Sequence, residues 1–142
     1  MDDIRVVLDS AEFMPIRSHA GDAGADLRST VDADIHPGET VLIDTGVSIA
    51  IPFGYVGKVF ARSGIATRHG IRPANCVGII DCQYRGKVAV PLRNDSAETY
   101  HVKRFDKVAQ LLIERVELPG FLAVESLTST ARGEGGFGST GS

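Results

Sequence analysis

Asp81 ends the apolar run Val77-Gly78-Ile79-Ile80 and is followed by Cys82-Gln83-Tyr84-Arg85-Gly86. A carboxylate buried there is costly unless it is paired or used. Gly78 inside a strand-like pattern points to a bend or to backbone lying close to a ligand. Tyr84 offers a ring that can stack on a sugar or base. The ordinary alternative for the stretch from Asn75 to Gly86 is a hairpin with an Asp in its turn.

Two upstream segments carry matching chemistry. In Ala61-Arg62-Ser63-Gly64-Ile65-Ala66, a short helix starting at the triplet would turn free backbone N–H groups toward an anion. Arg62 adds a permanent cation with a fork of donors suited to phosphate, and Ser63 adds a hydroxyl. The plainer reading makes Ser63 the N-cap. In Ala23-Gly24-Ala25-Asp26-Leu27, Asp26 is either a turn carboxylate or a group associated with magnesium, an ion that needs only one or two protein carboxylates.

The tail is the other unusual segment. From Arg132 the chain reads Arg-Gly-Glu-Gly-Gly-Phe-Gly-Ser-Thr-Gly-Ser, and five of these eleven residues are glycine. Such a segment cannot bury enough surface to order itself. It can still expose N–H groups to a phosphate, as anion-binding nests do.

Other chemistries fail. His19, His36, His69 and His101 have neither i, i+4 spacing nor a cysteine cluster nearby. No Walker sequence, nucleophile elbow or dinucleotide fingerprint occurs. Cys76 and Cys82 give no zinc pattern and are too few for a disulfide scaffold, which fits a reducing compartment. The net charge of −3 argues against a non-specific nucleic-acid binder. No run of about 18 apolar residues is present to span a membrane, and the acidic start Met1-Asp2-Asp3 is unlike a signal peptide. A cytoplasmic protein is expected.

The elements that must hold these residues are short strands. The 142 residues, 43% of them apolar, fit one domain with a real core. Val41-Leu42-Ile43 and Val47–Ile51 flank Thr45-Gly46, Tyr55–Phe60 follows Pro52-Phe53-Gly54, and Lys87–Leu92 and Tyr100–Lys103 alternate in part. Short β-branched runs with turn residues at this spacing predict an all-β sandwich or barrel. Ser63–Gly70 is the one short helix expected, with Ser63 capping it and Gly70 past its end. Val108–Arg115 reads as a buried strand, closed by a turn at Glu117-Leu118-Pro119-Gly120. One domain over residues 1–131 and a flexible tail over 132–142 are expected.

Taken in order, Ala-Gly-Ala-Asp-Leu, Arg-Ser-Gly, Gly-Ile-Ile-Asp-Cys-Gln-Tyr-Arg-Gly, Asp-Lys-Val-Ala-Gln and the terminal Arg-Gly-Glu-Gly-Gly-Phe-Gly-Ser-Thr-Gly resemble the five motifs of trimeric deoxyuridine triphosphate nucleotidohydrolases (dUTPases). Each motif is weak alone; the specificity lies in all five occurring in order. The resemblance implies a jelly-roll-like barrel, a homotrimer whose sites draw on all three subunits, and hydrolysis of dUTP to dUMP and pyrophosphate with Mg2+ on the triphosphate. By the same resemblance Asp81 is the general base and Asp26 holds magnesium through water. Arg62, Ser63, Gly64 and Gln110 meet the phosphates. Asn75, Gly78 and Tyr84 take the uracil and the deoxyribose. Arg132, Phe137, Gly138, Ser139 and Thr140 close over the nucleotide. No membrane and no direct DNA or RNA binding are implied.

Three positions depart from the motifs. Gln83 is often Asp in the family and Cys82 often Ser or Ala. Phe105 stands where a Gly usually precedes Asp106, so its turn must have φ below zero or carry strain. The competing readings are a dCTP deaminase-related enzyme, which shares the barrel, and a regulatory module that uses the barrel to hold a partner protein.

Overall fold

The computed structural model describes residues 3–136. Its strands are β1 (Val6–Leu8), β2 (Ala25–Arg28), β3 (Ala33–Ile35), β4 (Thr40–Ile49), β5 (Tyr55–Phe60), β6 (Ile71–Pro73), β7 (Gly78–Ile80), β8 (Lys87–Asn94), β9 (Tyr100–Val102) and β10 (Lys107–Arg115). All pair antiparallel. Two four-stranded sheets, ordered β1-β4-β8-β6 and β2-β10-β5-β7, enclose the core, and β3 and β9 form a separate pair. This is the all-β architecture predicted from the strand spacing, in the jelly-roll-like form that the family resemblance implies.

Burial sets which way each strand faces. Along β8, Val88, Val90, Leu92 and Asn94 point inward while Lys87 and Ala89 point out. Along β2, Ala25 and Leu27 are buried, which turns Asp26 to the outer face. A slip of one residue would bury that carboxylate and expose the leucine, so the core fixes the direction of Asp26. Leu27, Ile43, Val59, Val90 and Leu111 belong to one continuous apolar cluster.

Thr45-Gly46 does not separate two strands. It lies within the ten-residue β4, where the pairing with β8 shifts register between Asp44 and Ser48. Gly46 has φ of +68°, and a Cβ on it would come within 2.9 Å of Thr30 and 3.0 Å of Phe13. Glycine therefore lets the strand bulge and continue.

The one α-helix among the described residues, α1 (Ser63–His69), forms where predicted, and Gly70 ends it in the left-handed conformation with φ of +66°. Its N-cap, however, is Arg62 rather than Ser63. Arg62 keeps an extended backbone, and no side chain caps the helix. The Asp26 carboxylate holds the Arg62 side chain at 2.8 Å, and the helix begins one residue earlier than the serine rule predicts.

Among the described residues after β10, only Val116 returns to the barrel, donating its N–H to the Gly54 carbonyl at 2.9 Å. The expected turn at Glu117–Gly120 is not formed; residues 117–124 carry neither helix, strand nor turn. Pro119 favours an extended residue before it. Leu118, Phe121, Leu122, Val124 and Leu127 are exposed, Phe121 completely so. No helix among the described residues is long and apolar enough to cross a membrane.

Candidate active site

Nine of the sequence-predicted residues fall into two cavities. The first, of about 190 Å³, is lined by Asn75, Gly78, Asp81 and Tyr84 together with Val59 and Lys87. The second, of about 660 Å³, is lined by Asp26, Arg62, Ser63, Gly64 and Gln110, with Ser18, Asp22 and Cys76 beside them. No residue lines both. Arg132 lies in neither; it is exposed, and its Nε donates to the Gly135 carbonyl at 2.8 Å. Phe137, Gly138, Ser139 and Thr140 lie outside the described residues.

Strand register builds the larger cavity. Gln110 of β10 pairs with Asp26 of β2 on one side and with Phe60 of β5 on the other, so the three residues form one row across the sheet. The chain leaving Phe60 brings Arg62 over that row. Arg62 Nε donates to Asp26 Oδ1 at 2.8 Å, and its Nη1 donates to the Lys107 carbonyl at 3.3 Å. A guanidinium has five N–H donors, so three remain for a ligand. Gln110 Nε2 donates to the Ala61 carbonyl at 2.8 Å. A Cβ on Gly24 would lie 2.3 Å from Gln110 Oε1, so glycine there leaves room for the amide. Around Gly64 a Cβ would meet nothing within 4 Å. Packing therefore does not require glycine at that position, whereas approach of a ligand to the helix start would.

The hairpin cavity is organised differently. Asp81 follows β7 and is exposed, so the burial that would make it costly in the sequence is absent in this chain. Gly78 faces Val59 on β5, and a Cβ on it would come within 3.2 Å of the Val59 Cβ. The glycine thus brings β7 close to β5. The Tyr84 ring folds back over Gly86, and its hydroxyl donates to the Lys87 carbonyl at 2.9 Å. Lys87 is held above its ordinary pKa chiefly by its hydrogen bond to Asp9, with Asp44 adding to the effect. It stays a cation at the cavity edge.

Three residues of the larger site were not singled out from the sequence. Lys107 Nζ lies 2.7 Å from Asp26 Oδ2 and 3.2 Å from Ser18 Oγ. Asp22 lines the cavity and accepts the His19 backbone N–H at 2.9 Å. Strict alternation would put Lys107 and Gln110, three apart, on opposite faces. A register shift between Lys107 and Ala109 buries Val108 and Ala109 in succession and brings both polar side chains outward.

Among the described residues no group of three His, Cys, Asp or Glu side chains converges on a point that could hold a metal. Asp26 already bonds one cation through each oxygen. A carboxylate has about four lone-pair sites, so Asp26 retains acceptors for water. The residues present fit a magnesium ion that arrives on a polyphosphate and meets Asp26 through water.

Fold and cavities together define a β-barrel protein with an outward-facing polar site in which an arginine and a helix start lie beside a carboxylate. A model of the dUTPase family matches residues 11–141, and the chain belongs to that family. It is 49% identical over 129 residues to the deoxyuridine 5′-triphosphate nucleotidohydrolase of Rhodococcus erythropolis, covering 90% of this chain and 79% of the relative. It is 47% identical over 140 residues to the enzyme of that name from Corynebacterium glutamicum, covering 97% and 94%. Among solved structures, a mutant dUTPase of Staphylococcus bacteriophage 80alpha with dUpNHpp superposes with a TM-score of 0.92 at 28% identity, over 100% of both chains. A mutant dUTPase from phage phi11 of S. aureus, whose structure concerns a structural Mg(II) ion, superposes with a TM-score of 0.82 at 28% identity, over 90% of this chain and 100% of that one. The deaminase alternative is not favoured by these matches.

Proposed function

We infer that the protein hydrolyses dUTP to dUMP and pyrophosphate, as a dUTP diphosphatase, and so keeps uracil out of DNA and supplies dUMP for thymidylate synthesis. The observation that carries this reading is the sorting of the motif residues. Groups suited to a base and sugar line one cavity with Asp81, and groups suited to phosphate line the other. In the reaction the water oxygen bonds to the α-phosphorus. The bond from that phosphorus to the α–β bridging oxygen breaks, and its electrons leave with pyrophosphate. Asp81 accepts the proton from the water. Arg62 and the N–H groups after it hold the phosphates, since phosphoryl transfer depends mostly on positioning and charge stabilisation. Bound magnesium would neutralise part of the triphosphate charge. Asn75 and Gly78 admit the uracil, and Tyr84 packs on the deoxyribose. A pocket without room for a methyl group rejects thymine, and hydrogen bonds to the uracil edge reject cytosine more strongly.

The working unit of this reading is a homotrimer. Two cavities with no shared lining within one chain can form one site when hairpin and phosphate residues come from different copies. The exposed apolar segment Leu118–Leu127 gives each copy a surface to bury on another. Residues 132–142 act as the lid, with Arg132 on the γ-phosphate. The two free thiols fit a cytoplasmic setting. A pyrophosphate-release assay with dUTP, dCTP, dTTP and UTP tests the substrate; release from dUTP alone is expected, and none from dUTP would refute the reading. Light scattering at micromolar concentration tests assembly, and a monomer or dimer mass would refute the trimer.

A further inference from the structure

Asp26 is enclosed by two cations. Arg62 Nε occupies Oδ1 at 2.8 Å and Lys107 Nζ occupies Oδ2 at 2.7 Å, while the Asp26 side chain is only 14% exposed. The two cations offset the carboxylates of Asp26 and of Asp22, which would otherwise repel a phosphate from the larger cavity. The arrangement is not a by-product of strand alternation. The bulge in β10 is what turns Lys107 to the face that carries Asp26 and Gln110, and bulges beside functional sites commonly re-aim a side chain in this way. Lys107 also has a second acceptor within reach, Ser18 Oγ at 3.2 Å. Its ammonium can therefore leave Asp26 without losing every hydrogen bond.

We propose that Lys107 is a resident cation on Asp26 that sets how strongly nucleotide binding depends on magnesium. The proposal rests on the dUTPase reading and names a residue that acts through Asp26. Without magnesium, Lys107 keeps Asp26 neutralised and adds its charge to the attraction for the triphosphate. When magnesium accompanies the nucleotide, Lys107 gives up Oδ2 and turns to Ser18, and both lone pairs of that oxygen can then accept water. Two cations then compete for one carboxylate, so the lysine lowers the benefit that magnesium brings.

The test is isothermal titration of the full chain with dUpNHpp, with and without magnesium. The readout is the ratio of the two affinities. In Lys107→Met, which keeps the length and removes the charge, the ratio should rise about fivefold, as expected for losing a partly exposed ion pair of about 1 kcal/mol. Lys107→Arg should keep the parental ratio. Ser18→Ala, an exposed site that tolerates truncation, should lower the ratio because the released ammonium has lost its second acceptor. A parental ratio in Lys107→Met would overturn the proposal. If that variant does not fold by circular dichroism, Ser18→Ala decides in its place, and a parental ratio there would overturn it equally. A parent protein that binds no dUpNHpp at any magnesium concentration would refute the dUTPase reading itself, and the proposal with it.

Discussion

The Phe105 ring stacks on Phe13, with centroids 5.3 Å apart and planes at 19°, although Phe105 has φ of +73°. Phe105 sits in a turn closed by the Asp106 N–H on the Lys103 carbonyl, and its own N–H is held by the Ser29 carbonyl at 2.8 Å. The Arg104 guanidinium lies 4.8 Å from the Phe105 ring centre and 5.7 Å from that of Phe13. Of the two outcomes expected for a phenylalanine in place of the usual glycine, the structure shows the strained one, held by aromatic stacking.

This relationship predicts an unusual order of stabilities. Phe105→Ala loses the ring but keeps a Cβ at positive φ, whereas Phe105→Gly loses the ring and the strain. The glycine variant should be the more stable of the two by about 1 kcal/mol, the cost of a left-handed residue with a Cβ. Denaturant unfolding of both variants checks this. An alanine variant as stable as the glycine one would show that the turn carries no strain.

Asp81→Asn should keep the fold, because Asp81 is exposed. Its dUTP turnover should fall by about 10²–10⁴, the usual contribution of a positioned acid or base. Steady-state kinetics beside titration with dUpNHpp separates lost catalysis from lost binding. Near-normal turnover would remove Asp81 from the base role.

Tyr84→Ala should reduce the preference for dUTP over UTP by about 1–3 kcal/mol, the range of small steric discriminations. The ring is fixed at both ends, by Gly86 beneath it and by the hydroxyl on the Lys87 carbonyl. Tyr84→Phe breaks only the second contact and should lose less. The measurement is the ratio of kcat/KM for the two nucleotides, and an unchanged ratio in Tyr84→Ala would dismiss the tyrosine as the sugar gate.

Removing residues 132–142 should leave the melting temperature of the barrel unchanged, since every core residue among the described residues precedes Arg132. Activity should fall on the order of 10²-fold or more, as for loss of an arginine that stabilises transferring phosphate. Phe137→Ala alone should cost less, about 1–3 kcal/mol for a lost stacking contact. Full activity in the truncated protein would reduce the tail to an inert terminus.

Asp95 is held below its ordinary pKa of 3.8, first by its hydrogen bond from Arg72 and then by that from Arg93. A lowered carboxylate pKa adds stability that is present above the ordinary value and is lost as pH falls through the folded one. Asp95→Asn should therefore lose less melting temperature than the parent between pH 5 and the acid limb below about pH 3.8. Thermal melts across that window provide the check, and parallel curves would contradict the assignment.

Much of this protein was legible in its residues because the informative rules are local. Turn residues at short spacing fixed the class as all-β, glycine after a short polar stretch placed the end of the helix at Gly70, and five motifs in order named the family. Lys107 was not legible, because one bulge in β10 reverses the face that alternation assigns to it. The N-cap at Arg62 was not legible either, since a carboxylate 36 residues earlier in the chain holds that arginine. Asp81 reads as buried from its apolar neighbours, yet it lies beyond the end of β7 and faces outward. Which chemical groups are present, and in what order along the chain, is readable from the residues alone. Only the tertiary structure decided which of them meet, because strand register and bulges, which depend on pairing between distant segments, set the direction of every side chain at the site.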